Sequence, residues 1–158
     1  MITPQLARAL QLTGLVWHPT SGDLFIIDRE GFEGDVFTVS DMTIEAHEFD
    51  TGTVLGFNGT TEWALDSVAI DDALWMPAEH QLRALLGATF RSLRRSDPAA
   101  GASRIDDDGL ATGEAYEVET VLAGERRVFV AADAADAYAG ALLELIGAST
   151  DSLEADLG

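Results

Sequence analysis

The chain has 158 residues, 47% of them hydrophobic and none of them cysteine; this is enough apolar material for one packed domain and rules out disulfides, thiolate metal sites and a thiol nucleophile. Twenty-eight acids stand against nine bases, every one an arginine, for a net charge of −19. So negative a surface repels phosphates and anionic lipid headgroups, which argues against direct nucleic-acid binding and against membrane adhesion.

The elements follow in chain order. Thr3-Pro4 reads as a helix start, Leu6, Ala9 and Leu10 share a face, and Gly14 ends the helix. Residues 15–18 and 23–28 read as two apolar strands around the Pro19-Thr20-Ser21-Gly22 turn, and residues 36–41 as another. Asp50-Thr51-Gly52 predicts a three-residue hairpin loop between residues 42–49 and 53–58, where Met42, Ile44 and Ala46 alternate with Thr43, Glu45 and His47. Thr60-Thr61 is a candidate cap for a short helix carrying Trp63, Leu65 and Val68.

The phrase "ALWMPAEHQLRALLG" predicts a strand at Trp75 and then a helix with Pro77 at or near its first position, Glu79 in the first turn and Gly87 as terminator. Leu82, Leu85 and Leu86 keep the spacing of one helix face. A strand is expected at residues 88–95, then a long loop at 96–113. In "EAYEVETVLAGERRVFVA" an Ala123-Gly124 turn sets Leu122 opposite Glu125. Tyr116, Val118 and Phe129 then share the buried side, and Glu119 comes within reach of Arg126. Asp133 caps a last helix in which Ala135, Tyr138, Ala139, Leu142, Leu145 and Ile146 form one broad apolar stripe. Gly147 is expected to stop that helix, leaving residues 148–158 as a frayed acidic tail.

The fold class expected is therefore α+β: antiparallel sheet from two meanders, covered by N-terminal, central and C-terminal helices, in one domain over residues 1–147. Two lobes, about 1–87 and 88–147, are compatible with it. The basic residues Arg91, Arg94, Arg95 and Arg104 cluster, and the nearby run Asp106-Asp107-Asp108 is the internal partner expected for them.

Chemistry is sparse. His18, His47 and His80 are the three histidines, and none is spaced as a metal pair on one helix. Glu45 and His47 face the same way on a strand, two candidate metal ligands for which Asp50 is an imperfect third. Asp106 to Gly109 departs from the calcium-loop pattern, and neither a G-x-S-x-G elbow nor a G-x-G-x-x-G turn is present. No catalytic residue and no cofactor is assigned. Trp17, Trp63 and Trp75 sit at the boundaries of predicted elements, where core packing is the ordinary role. An exposed one would anchor a partner, and Trp75 is the first choice, with Met76 beside it and His80 and Arg83 along the rim.

The run from "FTVSDMTIEAHEF" through "LWMPAEHQLRALLG" to "AADAADAYAGALLELI" resembles a small actinobacterial family of unassigned function, collinear over nearly all of the chain. Some members of that family carry a pilus-assembly label. Trp75, Pro77, Gln81 and Leu82 form a Trp-x-Pro-x-x-x-Gln-Leu phrase that also resembles short phage-associated proteins. The pilus-assembly label would imply a phosphate loop, whereas this chain has no lysine with which to complete one.

The expectation is a non-catalytic cytoplasmic interaction or accessory protein with an unidentified, basic protein partner, or one that associates with itself. Two alternatives stand beside it: a hydrolase or metal-dependent enzyme with a carboxylate/His site, and a nucleic-acid mimic. No opening basic and apolar run suggests secretion, and no apolar run is long enough to cross a bilayer.

Overall fold

The computed structural model describes residues 1–27, 29, 32, 34–41, 43–58, 67–96 and 115–156, with side chains through residue 149. The fold is α+β. Helix α1 (Pro4–Leu12) precedes β1 (Leu24–Ile27), β2 (Val36–Thr38), β3 (Ile44–Phe49), β4 (Gly52–Phe57), β5 (Ser67–Ala69) and β6 (Ala73–Trp75). Helix α2 (Glu79–Leu86), β7 (Phe90–Ser96), β8 (Ala115–Leu122), β9 (Glu125–Ala131) and α3 (Ala134–Asp156) complete the order. The strands form three antiparallel three-stranded sheets: the meanders β3-β4-β5 and β7-β8-β9, and a third sheet ordered β2-β1-β6.

The third sheet organises the molecule. Its central strand reads Leu-Phe-Ile-Ile with no polar alternation, as a strand covered on both faces must. Phe25 and Ile27 point into an aromatic core with Trp17, Phe37, Ile44, Leu55 and Val68, the last three from β3, β4 and β5. Leu24 and Ile26 pack on the opposite core, built from all three helices and Val118 of β8. The edge strand β6 divides likewise: Ala73 and Trp75 face the aromatic core, and Leu74 and Met76 the helical one.

Helix α3 brings Ala135, Ala137, Ala139 and Ala141 to the helical core beside Tyr138 and Leu142, and these small side chains let α1, α2 and β8 approach closely. Asp133 caps it as expected, its Oδ1 accepting the Ala135 N–H at 2.8 Å. Gly147 does not stop the helix, which continues to Asp156. An interior glycine costs only about 1 kcal/mol, too little to end a helix whose neighbours favour it.

The β8-β9 hairpin has the expected register, with Leu122 opposite Glu125, and the Glu119–Arg126 ion pair forms at 2.5 Å. Glu119 also takes Arg94 at 2.8 Å. That is where one of the clustered arginines goes; Arg104 and Asp106 to Asp108 lie outside the described residues. Desolvation acts to raise the Glu119 carboxyl, but the hydrogen bonds and charges of Arg126 and Arg94 prevail and hold it below the ordinary value.

Several local expectations need correction. Residues 15–18 are not a strand: Leu15 N–H donates back to the Leu10 carbonyl, and Trp17 is buried through its ring rather than through a ladder. The β3-β4 connection is Asp50-Thr51, because Gly52, at φ +127°, already pairs with Phe49. Helix α2 starts at Glu79, two residues after Pro77, since Gln81 Oε1 accepts the Ala78 N–H at 2.9 Å and fixes the first turn there. Leu82 and Leu86 are buried, but Leu85 is exposed. Val68 belongs to β5, while Trp63 and Leu65, the candidate cap Thr60-Thr61, Met42 and residues 97–113 of the expected loop lie outside the described residues.

Candidate interaction site

Trp75 ends β6, and its ring lies parallel to that of Trp17, with an interplanar angle of 4° and centroids 6.3 Å apart. Trp17 in turn packs against Phe25 at 5.7 Å. The Trp17 indole N–H donates to Asp23 Oδ2 at 2.9 Å, and the same oxygen accepts the Thr20 N–H at 2.9 Å. The other oxygen of Asp23 accepts the Gln81 amide at 2.6 Å. Asp23 is only 4% exposed, and three neutral donors compensate a carboxylate that would otherwise be costly to bury.

Trp75, Gln81 and Leu82 of the Trp-x-Pro-x-x-x-Gln-Leu phrase thus have separate structural jobs. Trp75 stacks on the ring that Asp23 holds, Gln81 ties the start of α2 to that same Asp23, and Leu82 fills the helical core. The phrase starts a core helix and fastens it across the sheet.

Beside this assembly lies a cleft of about 240 Å³ between α1, the segment that follows it, and β6. Leu10, Leu15, Val16, Trp17, Leu74 and Trp75 form most of its apolar wall, and Gln11 and Asp71 are polar lining side chains. The Trp75 indole N–H is buried and has no acceptor among the described residues. An unmet donor of that kind costs about 1–3 kcal/mol.

The three residues grouped with Trp75 in the sequence separate from it in space. Met76 is 1% exposed and turns into the helical core, opposite to Trp75, as adjacent strand residues do. His80 and Arg83 are exposed on α2, where the Arg83 guanidinium lies over the Phe90 ring at 5.8 Å, and neither lines the cleft. The residue that joins Trp75 is Trp17, far away in sequence. Sequence reasoning does not single out Asp23 as the anchor: one acid before an apolar run looks like a turn residue, and only the fold brings its three donors together.

Glu45 and His47 share a strand face, with Oε2 and Nε2 3.7 Å apart. The His47 ring lies over Gly56, where an added Cβ would come within 3.1 Å of it. Together with Ser21 and Asp41 they line a second, polar cleft of about 430 Å³. Among the described residues no group of three or more His, Asp or Glu side chains is placed to hold a metal ion. No helix among them is long and apolar enough to cross a membrane.

Comparison with protein-family models, with curated proteins and with solved structures found no match to this chain.

Proposed function

We propose that the chain is a non-catalytic interaction or accessory protein, acting in the cytoplasm, whose acidic surface engages a basic protein partner. The observation that carries this reading is the net charge of −19, with 28 acids against nine arginines. A field of that sign accelerates encounter with a positively charged surface and discourages nucleic acid. The arginines Arg94, Arg126 and Arg127 are paired with Glu119, Glu125 and Glu144, so these three bases are already engaged within the fold.

The test is capture from the native host with the intact chain as bait at low salt, followed by release with salt. A basic protein that is retained and then released as salt rises is the expected result, because screening weakens such contacts. Retention of nothing, or of partners indifferent to salt, overturns the reading.

A second reading, an enzyme with a carboxylate/His site, draws on the polar cleft around Asp41, Glu45 and His47. Zinc titration of the purified chain decides it. Stoichiometric binding that disappears in Glu45→Gln and His47→Ala would favour the enzyme, and no binding would remove its metal-dependent form.

A further inference from the structure

We infer that the cleft between α1 and β6 is where the basic partner docks, and that it takes one large apolar side chain from a segment flanked by lysine or arginine. This rests on the function proposed above and gives it a place. Three observations on the same surface carry it.

The first is size. Pockets for drug-sized ligands usually span about 300–1,000 Å³. At about 240 Å³ this cleft is small for such a ligand but roomy enough for one leucine, phenylalanine or tryptophan side chain. Interfaces concentrate their energy in such anchors, seated in apolar pockets.

The second is exposure. Val16, part of the wall, is 67% exposed. An apolar side chain left in water in the wall of an apolar cleft is surface that a partner would cover.

The third is charge. Among the described residues Asp71 is the one charged side chain that lines the cleft, and no arginine lines it. Its neighbour Asp72 is neutralised by Arg29, whereas Asp71 has no ion-pair partner among the described residues. With the net charge of −19 behind it, the mouth favours cations on either side of the anchor.

The experiment uses the full chain, labelled with nitrogen-15, and the peptide Lys-Lys-Leu-Trp-Lys-Lys as probe. The expected result is movement of the Trp17 and Trp75 indole N–H signals. Affinity should fall about tenfold in Val16→Arg, which crowds the mouth with an unwelcome cation, and a few-fold in Asp71→Asn. Val16 is exposed, so the rest of the spectrum should report an intact fold. Equal binding by a peptide with alanines in place of Leu-Trp overturns the anchor, and equal binding by one with glutamates in place of the lysines overturns the charge selection. Salt-sensitive binding that spares both indoles, or that Val16→Arg leaves unchanged, overturns the cleft while the acidic-surface reading stands. No peptide binding and no partner captured at low salt overturns both.

Discussion

The two faces of the β2-β1-β6 sheet bury the same strands by different means. On the helical face the contacts come from leucines and from the alanines of α3, along helices that make their own backbone bonds. On the other face the cover is the β3-β4-β5 sheet with Trp17, where β5 has only three residues, and rings supply much of the packing. Phe37 meets Phe25 at 5.5 Å and Phe57 edge-on at 5.9 Å. Short strands gain cohesion from aromatic area where regular structure gives little. Asp23 and Gln81 are a polar tie between the two sides, and the cleft opens where α1 meets the edge of the sheet.

The largest expected effect tests whether the two cores unfold together. Phe25 is fully buried, and Phe25→Ala should cost about 3–5 kcal/mol in urea unfolding. If the shared sheet couples the cores, fluorescence of the tryptophans and helical circular dichroism will shift by the same midpoint. Two separate midpoints would mean that the two sides unfold as independent lobes.

Next comes the tie itself. Asp23→Ala strands the Trp17 indole, the Thr20 N–H and the Gln81 amide, and about 2–4 kcal/mol should be lost. Asp23→Asn, which keeps one acceptor oxygen, should lose less. Equal stability of all three proteins in a thermal melt would mean the polar tie contributes nothing.

A smaller loss belongs to the helical side. Gly87 closes α2 at φ +53° and ψ −128°, a conformation that side chains resist, and Gly87→Ala should cost about 1–3 kcal/mol by the same unfolding assay. An unchanged midpoint would show that the turn relaxes without strain.

The smallest effect is electrostatic. Glu119 and Asp133 both have carboxyls held below their ordinary values: desolvation opposes this in each, and Arg126 with Arg94, or the Met1 ammonium with the Ala135 N–H, overcomes it. A depressed folded value means stability that is present above the unfolded pKa and is lost as pH falls through the folded one. Acidification below about 4.5 for Glu119 and 3.8 for Asp133 should therefore lower the urea midpoint. Glu119→Gln should flatten part of that slope, and an unchanged slope would show that the arginine clasp carries no stability.

What the sequence makes legible depends on the range of the interaction. The β8-β9 hairpin, its Glu119–Arg126 pair and the Asp133 cap are set by residues within a few positions of one another, so turn chemistry and periodicity reach them. The pairing of β1 with β6 is not legible, because three- and four-residue strands carry too little pattern and β1 is buried on both faces. The site divides in the same way. Trp75 is recognisable as a boundary aromatic, but grouping it with Met76, His80 and Arg83 follows sequence proximity, and strand alternation sends Met76 to the opposite core. Trp17 and Asp23 complete its surroundings only through tertiary contacts.

Amide hydrogen exchange along the intact chain, with and without the Lys-Lys-Leu-Trp-Lys-Lys peptide, tests most directly whether the cleft receives a basic partner. Added protection is expected at Gly14 to Trp17 and at Ala73 to Trp75, diminishing as salt rises. Protection confined to the exposed face of α2 around His80 and Arg83, or around Glu45 and His47, would contradict it.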